Sequence, residues 1–187
     1  MLKKHNYFPR ILSFKNFCNP SLIDRFRINR SIEKNYKNYL PTFKKNPTGY
    51  NFPIERDHTK FFHRLYEGYL QTCYDVFGDF ELSSNNSKKC WCYKSNKKDS
   101  KPVWHSHFDS STINGVYYYQ IEDSDGTYFK DANGIEQRYM PDQGELIIFQ
   151  NYVIHKPHIP TLNRKRYTIN METLTKESVH ELFGRLD

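Results

Sequence analysis

The sequence predicts an α+β fold, mainly β, in which a jelly roll is buttressed on one face by helices from the N-terminal part of the chain. Three observations lead there. Apolar residues recur at three- and four-residue steps before residue 80, they alternate with polar ones after it, and clusters of Asn, Asp and Gly divide the second half into short segments. The 187 residues suffice for a single domain, 1–187, with its own core. Within it, 1–80 holds an N-terminal strand and the buttressing helices, 88–174 the jelly-roll core, and 175–187 a C-terminal helix.

Taken in order, 7–18 holds a short strand that ends at Asn19-Pro20. Asn19 suits an N-cap and Pro20 the first helical position, so a helix is expected from Ser21 to about Tyr39, with Leu22, Ile23, Phe26, Ile28 and Ile32 as its apolar residues. Pro, Asn, Thr and Gly then make 41–53 a loop. A second helix over 57–77 carries Phe61, Phe62, Leu65, Tyr69, Leu70, Cys73, Tyr74 and Phe77 at helical spacing, and Gly78 ends it. This stripe reads as a face packed on a sheet. Strands follow over 89–93, 103–107, 115–122, 127–130, 136–140, 145–150 and 166–173, and a short helix over 177–182 closes the chain.

Composition narrows the classes of function. Aromatic residues make up 17% of the chain against 37% for all hydrophobic residues, so the core leans on Tyr and Phe. The net charge of +7 suits an anionic partner, yet the basic runs before residue 50 (Lys3-Lys4, Arg25 to Arg30, Lys44-Lys45) carry no basic-aromatic recognition motif, which disfavours nucleic acid. No run of about 18 apolar residues is present, which excludes an ordinary membrane-spanning helix. Cys18, Cys73, Cys90 and Cys92 follow no secretory segment, and the expectation is a reduced, cytoplasmic protein.

The chemistry concentrates in the second half. In Trp104-His105-Ser106-His107-Phe108-Asp109, side chains two apart share a face of an extended chain, so His105 and His107 point the same way and Asp109 joins them if the strand continues. Further on, Pro141 to Gly144 is a turn feeding a buried strand that delivers His155. Arg166-Tyr167-Thr168 opens the last strand with Arg166 and Thr168 on one face. His5, His58, His63 and His180 read as ordinary structural histidines.

From Trp91 to Met171, the ordered set of a tryptophan-bearing strand, His-x-His, Gly-Val-Tyr-Tyr, Gly-Glu-Leu-x-x-Phe, a distal His and Arg-x-Thr resembles the 2-oxoglutarate/Fe(II)-dependent oxygenases. The similarity is greatest to the prolyl-4-hydroxylase-like members and to relatives in bacteria and phages. The resemblance implies a double-stranded β-helix (jelly roll), with Fe(II), 2-oxoglutarate as co-substrate and O2. It further implies hydroxylation of a substrate with decarboxylation of 2-oxoglutarate to succinate. His155 matches the distal metal ligand, Arg166 the arginine that grips the far carboxylate, Thr168 the hydroxyl position beside it, and Tyr118 a tyrosine on the same carboxylate, with Tyr93 as a second candidate. If the chain is phage-encoded, the compartment is the host cytoplasm.

Two registers remain open upstream. His107 and Asp109 with His155 give two histidines and a carboxylate; His105 and His107 with His155 give three histidines, which agrees better with the His-x-His motif. Downstream, His158 competes with His155 and is disfavoured by its distance from Phe149. Other classes compete as well. Cys90-x-Cys92 with His105-x-His107 makes a Cys2His2 zinc site, although one intervening residue is too few for the usual knuckle. A cupin-like metal enzyme shares the histidines without needing Arg166 and Thr168. A non-catalytic binding module shows salt-dependent affinity indifferent to His155. The substrate is a small molecule, peptide or protein, with anionic character favoured by the charge. Loops at 41–56, 83–101 and 123–135 are expected to select it, and neither its identity nor the oligomeric state is encoded legibly.

Overall fold

The computed structural model describes residues 3–5, 10–43, 50–53, 60–86, 89–95, 102–122, 125–161 and 165–186. Among these residues, ten strands and three helices follow one another as β1 (Lys3–His5), β2 (Ile11–Phe14), α1 (Leu22–Phe43), β3 (Tyr50–Pro53), α2 (Phe61–Phe77), β4 (Lys89–Ser95), β5 (Ile113–Gln120), β6 (Thr127–Lys130), β7 (Glu136–Tyr139), β8 (Leu146–Gln150), β9 (His155–Pro157), β10 (Arg166–Thr173) and α3 (Val179–Gly184). A seven-stranded sheet in the order β1-β2-β8-β5-β10-β4-β3 faces a three-stranded sheet in the order β7-β6-β9, and every pairing is antiparallel. This is the jelly roll, mainly β, that the strand spacing predicts.

The larger sheet buries both faces. One face and the helices enclose Leu12, Leu65, Tyr69, Cys92, Ile148 and Ile169, while Ile11, Val116, Phe129, Ile147 and Phe149 pack between the two sheets. The aromatic stripe of α2 lies on the first face, where Tyr69 donates its hydroxyl to the Ile113 carbonyl (3.1 Å) and Tyr66 donates to that of Glu172 (3.3 Å). The helix comes so near that a Cβ at Gly115 would sit 2.6 Å from the Tyr69 ring. Only glycine fits there. α1 is tied on electrostatically: Glu33 accepts from Lys94 and Lys165 at 3.0 Å each, and from the Tyr167 hydroxyl.

Several sequence expectations are corrected. The segment 103–107 is not a strand, because its ladder contact to the smaller sheet is a single bridge, His105 to His155. The first helix starts at Leu22, with the Ser21 hydroxyl accepting from the Asp24 amide (3.2 Å), so Ser21 does the capping expected of Asn19. It runs on to Phe43, past the expected end. Of its apolar residues Ile28 and Ile32 are buried, but Leu22, Ile23 and Phe26 are exposed. The second helix begins at Phe61, its expected start at Asp57 lying outside the described residues, and ends at Gly78 (φ 72°) as its sequence indicates. The short strands β1, β3 and β9 have no periodicity long enough to read and exist through their partners. Of the mouth loops, 44–49, 54–56, 87–88, 96–101 and 123–124 lie outside the described residues.

Candidate metal centre

β10 runs through the middle of the larger sheet, between β5 and β4, and its residues alternate between the two faces. Arg166, Thr168, Asn170 and Glu172 line a cavity of about 240 Å³ between the sheets. Register places Tyr93 beside Thr168 and Trp91 beside Asn170 on β4, and both also line the cavity. The opposite wall belongs to the smaller sheet, which supplies Thr127, His155 and Pro157.

The three histidines converge at this cavity. Their ligand atoms all lie within 4.8 Å of one another, with ring centroids 5.2 Å apart for His105 and His107, 4.4 Å for His105 and His155, and 5.2 Å for His107 and His155. Main-chain bonds set the spacing. His105 N–H donates to the His155 carbonyl (3.1 Å) and His155 N–H to that of His105 (2.9 Å), while His107 N–H donates to the carbonyl of Asn151 (2.8 Å). Asp109 is not part of the cluster. It lies exposed in the turn that follows His107, because the chain folds away after His107 where the continued strand would have brought Asp109 inward.

Each histidine also has its outer nitrogen engaged. His105 Nδ1 lies 3.0 Å from the Val103 carbonyl, His155 Nδ1 2.9 Å from that of Val153, and His107 Nδ1 2.5 Å from Glu172 Oε1. An imidazole that donates from Nδ1 keeps Nε2 as a lone-pair donor, the form a metal requires. Burial pushes the pKa of His105 down, and burial with the neighbouring His105 and His107 rings pushes that of His155 well down. These two rings are therefore held neutral, as coordination needs.

The far end of the cavity has the opposite character. Arg166 is 1% exposed and donates from Nη2 to the Gly126 carbonyl (3.1 Å), but its Nε and Nη1 find no hydrogen-bond partner among the described residues. Burial lowers its pKa, and a guanidinium still keeps its charge at any ordinary pH. A buried cation with free donors calls for an anion. Thr168 is buried beside it, and burial raises the Tyr93 phenol to about 12. Tyr118 differs from expectation: its ring lies 5.8 Å from the Arg166 guanidinium, but the side chain is not on the cavity wall. Its hydroxyl is taken by Thr127 Oγ1 (2.7 Å), and Thr127 is the residue that lines the cavity.

The other candidates fall outside. His158, whose main-chain N–H donates to the Gly126 carbonyl, is not in the cluster. Cys90 and Cys92 point into the helix-side core, on the face of β4 opposite Trp91 and Tyr93, so a Cys2His2 site with His105 and His107 does not form. Two residues went unnoticed in the sequence, Thr127 and Glu172. The signal for Glu172 was present, since Arg-x-Thr-x-Asn-x-Glu puts a polar group at every second position of a strand that is otherwise apolar.

No protein-family model matches the chain, and no curated protein matches its sequence. Solved structures do match its fold. HygX from Streptomyces hygroscopicus, solved with nickel and 2-oxoglutarate bound, aligns at 12% identity and a TM-score of 0.61 over 89% of this chain and 83% of that one. A prolyl-4-hydroxylase from Pseudomonas putida aligns at 14% identity and a TM-score of 0.54, over 89% and 93% of the two chains. The chain has the fold of the 2-oxoglutarate/Fe(II)-dependent oxygenases. AviO1 from Streptomyces viridochromogenes Tue57 shares it at 13% identity and a TM-score of 0.58, covering 85% of this chain and 87% of that one. In this oxygenase fold, no helix among the described residues is long and apolar enough to cross a membrane.

Proposed function

We propose that the protein is a 2-oxoglutarate- and Fe(II)-dependent dioxygenase that hydroxylates its substrate. The observation that carries this reading is the pairing of opposites in one cavity: three histidine ligand atoms within 4.8 Å of one another at one end, and the unsatisfied buried guanidinium of Arg166 at the other. A cupin-like enzyme needs only the first of these. A dicarboxylate that also chelates a metal needs both.

The residues fit the group. Three imidazole donors on one side of an open cavity suit a first-row transition metal that keeps positions for further ligands. His105, His107 and His155 would hold Fe(II), which when bound supplies the redox chemistry that consumes O2 and 2-oxoglutarate and yields succinate, CO2 and hydroxylated substrate. Arg166 binds the far carboxylate through its free Nε and Nη1, a planar two-point contact that lysine does not reproduce. Thr168 and Tyr93 add hydroxyl groups on the same wall, and Tyr118 holds Thr127 and backs the guanidinium. Val116 and Phe149 keep the wall between the two ends apolar, which limits water around the bound groups. HygX, the neighbour holding nickel and 2-oxoglutarate, supports the same pair of ligands. The substrate reaches the histidine end as a small molecule or as a segment of a peptide or protein, and the net charge of +7 favours an anionic one.

Anaerobic addition of Fe(II) and 2-oxoglutarate to the protein tests the reading. A visible charge-transfer band is expected that needs both components and is lost in His155→Ala. A folded, iron-loaded protein without such a band would overturn it.

A further inference from the structure

The acid that reaches the histidine cluster is not the one offered by the local motif. Asp109, two residues past His107, faces solvent, whereas Glu172, on the last strand, is 4% exposed and lines the cavity. His107 Nδ1–H donates to Glu172 Oε1 at 2.5 Å. The main chain that carries this carboxylate is held from both sides: register places Glu172 opposite Asn114 of β5, and Tyr66 of α2 donates to the Glu172 main-chain carbonyl.

His107 is thereby set apart from the other two ligands. The outer nitrogens of His105 and His155 meet carbonyls of Val103 and Val153, two residues upstream in their own loops, so those rings are oriented locally and by neutral groups. His107 is oriented by an anion from a different strand. Such charge-assisted bonds are shorter and roughly twice as strong as neutral ones. The charge matters further because three neutral imidazoles bring no negative charge to a bound dication. A carboxylate on the far side of one imidazole makes that ring more basic and places the missing charge one ring away from the metal.

We propose that Glu172 is the positioning residue of the metal centre: through His107 it fixes the ligand geometry and supplies the negative charge that the three-histidine set lacks. This rests on the reading of His105, His107 and His155 as metal ligands. Glu172 acts at one ring's distance and does not itself contact the metal.

Co(II) alone, titrated into the full chain under anaerobic conditions and followed by its visible absorption, tests the assignment without turnover. Loss of an outer-shell partner typically weakens metal binding about 10- to 100-fold. Glu172→Gln, which keeps the shape and removes the charge, is expected to weaken Co(II) about 10-fold and to shift the band; Glu172→Ala is expected near the upper end of that range. In a His107→Ala background the Gln substitution should change affinity by less than about twofold, since the route through the imidazole is gone. Affinities and spectra of both Glu172 variants matching the parent, or a Gln effect that persists without His107, would overturn the proposal while leaving the metal centre intact. If the parent itself holds no Co(II) that His155→Ala releases, the metal centre fails and the proposal falls with it. Isosteric Glu172→Gln keeps the test clear of folding, which circular dichroism checks.

Discussion

Apart from half-buried Asn170, the two rows of side chains on β10 are almost equally buried but meet different surroundings. Tyr167, Ile169 and Met171 face the helices at 2%, 0% and 1% exposure, while Arg166, Thr168 and Glu172 face the cavity at 1%, 2% and 4%. In the first row every need is met inside the fold: apolar groups touch apolar groups, and the Tyr167 hydroxyl donates to Glu33. The second row leaves two guanidinium nitrogens without partners among the described residues and aims a carboxylate at a histidine. Burial by itself therefore says little about role on this strand. What separates the rows is whether the fold satisfies what it buries.

That contrast can be broken by substitution on either side. The largest effect is expected from Arg166→Ala, which should cost about 2–5 kcal/mol of 2-oxoglutarate binding, read from titration of the anaerobic Fe(II) band, while the unliganded protein melts no lower than the parent because an unsatisfied buried charge has been removed. Ile169→Ala should do the reverse: about 2–5 kcal/mol of stability lost in urea unfolding, with Co(II) affinity per folded molecule unchanged. A loss of affinity there would mean that the two rows are not independent. Gly115→Ala, next to the Tyr69 ring, should cost about 1–3 kcal/mol by forcing α2 and β5 apart, again visible in unfolding.

The smallest expected effect is recognised by its dependence on pH. Burial alone would raise the Glu33 carboxyl, but bonds from Tyr167, Lys94 and Lys165 outweigh it and hold its pKa at about 2. Its unfolded value is about 4.3. The depressed folded value means that its contribution is fully present above the unfolded pKa and is lost as pH falls through that window toward 2. Glu33→Gln should thus lower the melting temperature at neutral pH and flatten its decline between about pH 5 and 3.

How legible all this was depends on the range of the interactions concerned. The aromatic spacing of α2, the buried run of β8 and the alternation of β10 are local, and they were readable because burying one face dictates the residue type at each step. His105, His107, His155 and Arg166 stood out for the same reason, as chemistry at a fixed stride. What escaped was long-range. Glu172 meets His107 only because β10 pairs with β5 in a particular register. The Tyr118 hydroxyl meets Thr127, on another strand, which lines the cavity in its place. Leu22, Ile23 and Phe26 have helical spacing, yet α1 shows them to solvent because its inward face is set further along, at Ile28 and Ile32.

The reciprocal main-chain bonds between His105 and His155 have a consequence for how this centre tolerates change. Peptide groups, not imidazoles, hold those two positions at their separation, so a substitution at 105 leaves this pair of main-chain bonds available. His105→Asp would convert the donor set to two nitrogens and an oxygen, and His105→Cys would introduce sulfur, each from the same anchored Cα. The main chain thus presents position 105 to the cavity independently of the imidazole it carries.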